Sequence, residues 1–591
     1  MMTSTDVRRY LLYDHRNISF IGLATVISTI SFQLAPAAIP IILNLSVLLT
    51  YFRIFMPRHG ALKYGTLLCL GLTIGGALPK LKASSSALSS LGVSLMVLLA
   101  ATGLTSVMSM FAVFLDTKFC MSFTSHWSQV TLFPSLWASL LGGVAYISPI
   151  GRLSAWSPTE GVDAYSWLVP FLGPAAIDWI VAAWAVVLSQ AVAAWIMNEA
   201  NGPEEPLLHN QVSSDTVRRV KSSQSQSKSS WRLACTLMAL AIPSYVLSSY
   251  PAPIAQLQHV TPLSVACVLP PSWKYKHHTL TLDDYIAESK KLTGSAKILL
   301  WPESAVVFTS EFEKEAAFQK IQKLVLGSYV GVSFEEAFAD PKDKTGLKSA
   351  RRNGLALISK DSEKPHLVYY KRSLVPIAES FSLTHSEAPP QIFTLELPHP
   401  SDVNKTDWAS NLNHTRPIPI TTSICLDFAA PNPFKDLGTR PALILAPART
   451  WDIDIGITMW KQAKQRAEEL GTTILWCDGG EGGVSGVAGK GMNDVQQVGP
   501  GSWFRTISLD YPHQESRTIY ATIGGFGLFF FWFITLGTSI SEHMIYFLPG
   551  GIMVKKIYDI VAYAVLRVQG WRGGERQPLL AGEEQGSLVD L

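Results

Sequence analysis

The stretch AKILLWPESAVVF, residues 296–308, sets a carboxylate inside an otherwise apolar run. Its first half reads as a buried strand, and Glu303 follows directly after it. A carboxylate in such a place costs several kcal/mol unless it is paired. Glu303 is therefore either an ion-pair partner or a general base. The surrounding residues settle the fold class. From 258 to 516, short β-rich runs such as PLSVACVLP, KLVLGSYVGV, PALILAPA and TTILWCDG alternate with helix-like or polar stretches. Helices are predicted at 282–293, 311–323 and 458–470. This alternation over ~260 residues indicates one α/β domain with a full core. The polar, turn-rich segment 397–417 reads as an exposed loop.

Two further strand ends in this domain carry reactive side chains. Lys371 follows LVYY and precedes SLVP, with Glu379 eight residues on. A lysine there is commonly surface charge, and Glu379 shares that ambiguity. Cys425 ends the strand-like run TTSIC, where a cysteine is commonly inert packing. Together the three read differently. A cysteine nucleophile needs a base for its proton and a cation for the developing oxyanion. Glu, Lys and Cys at separate strand ends supply these roles if the sheets gather those ends. Cys267 and Cys477 have no cationic neighbour in sequence and read as core residues.

Other motifs fail. The glycine-rich run 479–491 ends in Gly-Lys but has Val484 and Gly491 where a phosphate-cradling loop needs Gly and Ser or Thr. Ser485 lies in GVSGV, which lacks the last glycine of a nucleophile elbow. The 13 histidines show no paired metal-ligand spacing, so neither a catalytic metal nor another cofactor is expected.

The rest of the chain has a different composition. Charged residues are only 16% of all 591, against about 25% in ordinary globular proteins. The mean hydropathy is +0.21, with 17 Trp and 26 Phe. A net charge of +3 without a long basic run gives no sign of nucleic-acid binding. Six cysteines in so long a chain do not make a disulfide framework. Apolar stretches of the ~20 residues needed to cross a bilayer crowd residues 1–197, near 18–34, 36–55, 61–79, 88–115, 129–150 and 170–197. About six transmembrane helices are expected there. A flexible linker over 198–230, a seventh span at 231–249, the domain at 258–516, an eighth span at 520–548 and a tail at 549–591 complete the chain. Most flanking Lys and Arg, among them Arg8, Arg9, Arg53, Arg218 and Lys555, place the N-terminus, linker and tail in the cytosol. Lys80 and Lys82 oppose that orientation. The domain is then expected to be lumenal or extracytosolic.

The motifs WPES at Glu303, YYKRSLVPIAES at Lys371 and Glu379, and SICLDF at Cys425 resemble those of the nitrilase (carbon–nitrogen hydrolase) superfamily. That family carries a Glu–Lys–Cys triad in this chain order on an αββα sandwich. The spacing here is 68 residues, then 54. Membrane spans before and after such a domain are similar to the apolipoprotein N-acyltransferase branch. The stretch KQRAEELGTTILWCDGGEGGVSGV is also similar to that branch's post-cysteine segment. The resemblance implies that Glu303 is the general base, Lys371 the oxyanion-stabilising cation and Cys425 the acyl-accepting nucleophile. Glu379 would orient Lys371 or the incoming amine. Leu426 and Asp427 stand where the family has an aromatic residue and Glu, with Asp427 a candidate for the acidic role in the substrate pocket. Trp451, Met459 and Trp460 are candidates for a bilayer-facing acyl-chain entrance, with core packing the alternative.

The activity implied is N-acylation through a thioester, from a phospholipid donor to an amine acceptor such as a lipoprotein or peptide N-terminus. A membrane-tethered amidase is the alternative, and a non-catalytic transporter or scaffold a third reading. Two sequons, Asn404-Lys-Thr and Asn413-His-Thr, are candidate glycosylation sites. Glu575, Leu579 and Leu580 resemble an acidic dileucine sorting signal, which points to a eukaryotic endomembrane protein on a route from ER to vacuole or lysosome.

Overall fold

A computed structural model describes residues 15–547, except 58–59, 89, 124, 155, 201–213, 247–253, 255, 272–279, 325–326, 340–348, 402 and 410–411. The dileucine candidate Glu575, Leu579 and Leu580 lies outside the described residues.

The α/β part is a pair of stacked sheets covered by helices on both outer faces, an αββα sandwich. The first sheet holds seven strands. Its main path runs β13 (Trp503–Asp510), β1 (Val260–Cys267), β2 (Ile298–Leu300), β4 (Tyr329–Ala339), β5 (Ser349–Ile358), β6 (Leu367–Tyr370), with β3 (Val306–Phe308) paired to β4. The second sheet has six strands in the order β12 (Met492–Val498), β11 (Val484–Gly489), β10 (Thr473–Asp478), β9 (Leu443–Ala448), β8 (Thr415–Thr422), β7 (Phe393–Pro398). Strands β1, β2 and β4 are mutually parallel, as are β8, β9 and β10, and the outer strands run antiparallel.

Side-chain alternation explains the layering. In β1, Leu263, Val265 and Cys267 enter the core between the sheets. Ala266 and Val268 face the other way, onto the helices Leu282–Leu292 and Glu311–Leu324 through Tyr285, Ile286, Phe318 and Ile321. These near-continuous apolar strands suit parallel pairs buried on both faces. The helix Ile453–Leu470 covers the second sheet. Asp452 caps its start by accepting from Asp454 N at 2.9 Å, and Gly471 closes it in the left-handed region.

Three expectations change here. Cys267 and Cys477 are indeed buried, but they are joined as a disulfide between β1 and β10, with Cα atoms 5.5 Å apart. Inward positions on facing sheets brought them together, and their separation of 210 residues hides this from the sequence. The segment 397–417 is not simply an exposed loop. Trp408 is buried beneath Arg416, whose guanidinium lies 4.0 Å from the indole centroid and donates to Trp408 O, Val260 O and Leu257 O. A stacked, fully bonded arginine can be buried without an acid partner. The expected linker also changes, because Ser214–Val246 is one helix. Its polar first half has neither Pro nor Gly and contains the helix formers Arg, Lys and Gln.

Among the described residues, five helices are long and apolar enough to cross a membrane: Ala38–Phe55, Ala61–Ser85, Leu91–Phe119, His126–Ile147 and Pro174–Ile196. The first expected span forms a shorter helix, Arg16–Ser31, and the eighth falls in Phe526–Phe547. The helix Leu91–Phe119 shows how this bundle is built. It buries Ser94, Thr102, Ser106 and Ser109 against its neighbours and exposes Met96, Leu104, Val107 and Phe111. Small residues inward and large apolar residues outward suit association in lipid.

The sandwich sits on the bundle through the helix Ile453–Leu470. Lys461 pairs with Glu160 and Lys464 with Asp163, while Gln465 donates to Pro158 O at 2.9 Å. Gly151 (φ +56°) touches the turn after Cys425 so closely that a Cβ would stand 2.1 Å from Ala429 O. Only glycine fits there.

Candidate active site

The three strand ends converge at the rim of the sandwich. Glu303 follows β2, and its N–H bonds Ala448 O at the end of β9. Lys371 follows β6, its N–H bonding Asn353 O at 2.9 Å. Cys425 follows β8 and opens the short 3-10 turn Cys425–Ala429. Cys425 adopts φ 45° and Ser304, after the candidate base, φ 50°. Both lie in the left-handed region, sparsely populated by such residues and typical of active sites.

Lys371 Nζ lies 2.7 Å from Glu303 Oε1 and 2.7 Å from both carboxylate oxygens of Glu379. Lys371 and Glu303 are buried, whereas Glu379 is part-exposed and also accepts from Val375 N at 2.8 Å. Asn353 Nδ2 donates to Glu303 Oε1 at 2.7 Å. The Cys425 thiol lies against the Glu303 carboxylate, and the backbone N–H of Arg449 is directed at its sulfur.

Electrostatics follow from this burial. Desolvation pushes the Glu303 carboxyl up to about 7, only partly opposed by the Lys371 ammonium. Burial works against the Lys371 charge, but Glu303, Cys425 and Glu379 together hold its pKa well above the ordinary lysine value. Burial and the neighbouring Glu303 charge raise the Cys425 thiol well above its usual range, against the pull of Lys371. The resting pair is therefore a thiol beside a carboxyl poised near neutrality. A base with a pKa near working pH is effective, because it is both available and basic enough.

The other predicted residues fall elsewhere. Asp427 is buried behind the nucleophile rather than on the pocket wall. Its carboxylate accepts from Tyr369 Oη (2.7 Å), Ser373 N (2.6 Å), Arg372 N (3.1 Å) and Ile424 N (3.2 Å). It ties the Lys371 loop to the Cys425 turn. Met459 and Trp460 are buried in the core beneath the second sheet, since both face inward from Ile453–Leu470. Trp451 is 40% exposed and donates from Nε1 to Ala83 O in the helical bundle at 3.1 Å. Asn404 and Asn413 are exposed.

Asn353 and Arg449 were missed. Asn353 begins the apolar run NGLALI, where a polar residue reads as a strand edge. The contact of Arg449 with Cys425 is made by its backbone and leaves no side-chain signature. The glycine-rich run finds its purpose in packing. A Cβ on Gly480 would stand 1.6 Å from Thr450 O, so the run lets the 449–453 loop lie against it. Asp478 accepts from Thr450 N and Oγ1 and from Gly480 N, locking the two loops together.

A cleft of about 1180 Å³ leads to Glu303 between the helices Leu282–Leu292 and Glu311–Leu324. Its walls include Leu269, Val306, Phe312 and Arg449. Among the described residues, no group of three or more His, Cys, Asp or Glu is placed to hold a metal ion.

No family model matches the chain, and no curated protein is significantly similar to it. Among solved structures, it is similar to the NitN amidase from Nesterenkonia sp. AN1 (16% identity, 44% of this chain and 95% of that chain, TM-score 0.29). It is similar also to a point mutant of the Nesterenkonia amidase, which shows covalent addition of the acetamide moiety of fluoroacetamide at its active-site cysteine (17%, 46% and 97%, TM-score 0.29). A third is Saccharomyces cerevisiae Nit3, a member of branch 10 of the nitrilase superfamily (15%, 42% and 90%, TM-score 0.30).

Proposed function

We propose that this chain is an integral-membrane N-acyltransferase of nitrilase type, related to the apolipoprotein N-acyltransferases. The observation that carries the proposal is the convergence of Glu303, Lys371 and Cys425 in a domain seated on a bundle of membrane-length helices. Glu303 takes the proton of Cys425, and the thiolate attacks an ester carbonyl of a phospholipid. Lys371 Nζ and the Arg449 N–H stabilise the oxyanion. The ester C–O bond breaks, the leaving alkoxide receives the proton from Glu303, and the acyl group remains on Cys425 as a thioester. An amine then attacks, Glu303 accepts its proton, and the amide leaves as Cys425 recovers its thiol. A lipoprotein or peptide N-terminus is the proposed acceptor.

Support for a lumenal or extracytosolic domain comes from the Cys267–Cys477 disulfide, since such bonds persist in oxidising compartments. The exposed sequon residues Asn404 and Asn413 suit the same side. A glycosidase-sensitive mass shift removed by Asn404→Gln with Asn413→Gln is the expected result, and cytosolic accessibility of that loop would refute it.

The closeness of Glu303 to the thiol serves a membrane-tethered amidase equally, with water resolving the thioester. Intact-mass analysis of the protein in phospholipid separates the two readings, with Cys425→Ala as control. A hydroxylamine-sensitive acyl adduct on Cys425 is expected. Turnover of small amides without any adduct from phospholipid would sink the transferase in favour of the amidase.

A further inference from the structure

We infer that the Arg449 side chain is the anion-recognising element of the substrate cleft, binding a negatively charged oxygen group carried beside the acyl carbonyl. This rests on the acyl-transfer reading for its substrate scaffold, but not for its geometry. Arg449 stands at the end of β9, and its two ends serve different purposes. The backbone N–H is directed at the Cys425 sulfur. The guanidinium is exposed on the wall of the 1180 Å³ cleft that ends at Glu303. A carbonyl seated on Cys425 therefore brings neighbouring substrate atoms within a side-chain length of that cation.

The charge on Arg449 is unspent. It makes no hydrogen bond or ion pair with any described residue, whereas the other charged groups around it are largely engaged. Lys320, on the same cleft, pairs with Asp283. Glu313 accepts from Thr309 N and Oγ1, each at 2.8 Å. Glu481 shares the cleft but is not paired with Arg449. The backbone that aims Arg449 is held firmly, because Asp478 clamps Thr450 and Trp451 is fastened to Ala83 of the bundle. An unpaired guanidinium over an apolar wall, carried on a firmly held backbone, suits a phosphate diester or a carboxylate, which it can bind through two parallel N–H bonds. On a glycerophospholipid the phosphate lies next to the acyl esters, so a carbonyl seated on Cys425 would carry it into the cleft that Arg449 lines.

Binding to full-length Cys425→Ala protein tests this without any chemistry. The probes are dihexanoylphosphatidylglycerol, dihexanoylglycerol hemisuccinate and uncharged dihexanoylglycerol, titrated by calorimetry below their micellar concentrations. The two anions should bind roughly 10–100-fold more tightly than the neutral lipid, the range of a charge-assisted contact. Arg449→Gln on the same background should erase that preference, and Arg449→Lys should retain part of it. A larger gain for the phosphate than for the hemisuccinate would assign the subsite to phospholipid, and the reverse to a carboxylate-bearing substrate. Equal binding of all three probes, or a preference that survives Arg449→Gln, overturns the inference. An acyl adduct on Cys425 without anion preference would leave the transferase standing and remove this subsite. Anion preference without any adduct would do the opposite.

Discussion

Arg152 and Glu469 form a buried ion pair although 317 residues separate them. Arg152 comes from the segment between two membrane-length helices, and Glu469 from the helix that covers the second sheet. Arg152 also donates to Pro431 O (3.0 Å) and Tyr520 Oη (2.6 Å). Arg466 pairs with Glu469 at 2.6 Å and donates to Phe428 O at 2.8 Å. Two linked arginines, one from each part of the molecule, thus grip the carbonyls that follow Cys425.

Removing one member of such a buried pair leaves an uncompensated charge, which costs about 3–5 kcal/mol. Arg152→Met should lower the thermal midpoint of the full-length protein and slow acylation of Cys425. Thermal unfolding monitored by tryptophan fluorescence measures the first, and intact mass against time the second. Neither changing would show that the bundle does not steady the nucleophile turn.

Substitutions at the centre should separate base from nucleophile. Cys425→Ala should abolish the acyl adduct. Glu303→Gln should slow its formation by roughly 10²–10⁴-fold, the usual contribution of a positioned proton acceptor. A Glu303→Gln protein that is folded and as fast as wild type would require another base.

The pH dependence follows from Glu303. It must be ionised to accept the thiol proton, and its carboxyl is pushed up to about 7 by burial. The acylation rate should therefore fall as pH drops through about 7, tenfold for each further unit on the acid side. The limb should vanish in Glu303→Gln. A rate that stays level from pH 8 down to pH 5 would contradict this role.

Asp427 offers a test of positioning. Asp427→Asn puts an amide where Tyr369 Oη, Arg372 N and Ser373 N all donate, so at least one donor loses its acceptor. The loss should cost about 1–3 kcal/mol, appearing chiefly in the maximal rate, with substrate affinity little changed. A selective loss of affinity would return Asp427 to the substrate pocket.

The disulfide predicts a thiol count. Under denaturing, non-reducing conditions Cys69, Cys120, Cys235 and Cys425 should alkylate, whereas Cys267 and Cys477 should need prior reduction. Changing both to Ser should lower stability by about 2–4 kcal/mol. Alkylation of all six without reductant would rule the bond out.

Much of this molecule is legible in its amino-acid sequence. The helices predicted at 282–293 and 311–323 match Leu282–Leu292 and Glu311–Leu324 closely, because their periodicity and caps are local. The helix predicted at 458–470 begins earlier, at Ile453, because Asp452 rather than the apolar pattern sets its start. Met459 and Trp460 are candidates for a lipid-facing entrance or for core packing by sequence, and they fill the core. An apolar residue on an amphipathic helix states only that it is buried, not against what.

The α/β alternation, the apolar helical segments, and the placing of Glu303, Lys371 and Cys425 at three strand ends can be read from the chain alone. Each follows from neighbours within a few residues: side-chain period, strand length, or a charge set in an apolar run. What those residues meet depends on how the chain packs. Sheet order brought Glu303 to Lys371, and stacking joined Cys267 to Cys477. Seating the helix Ile453–Leu470 on the bundle placed Arg152 against Glu469. Such contacts depend on strand order and on which faces pack together, and these are set by burying the whole apolar surface at once rather than by any local stretch.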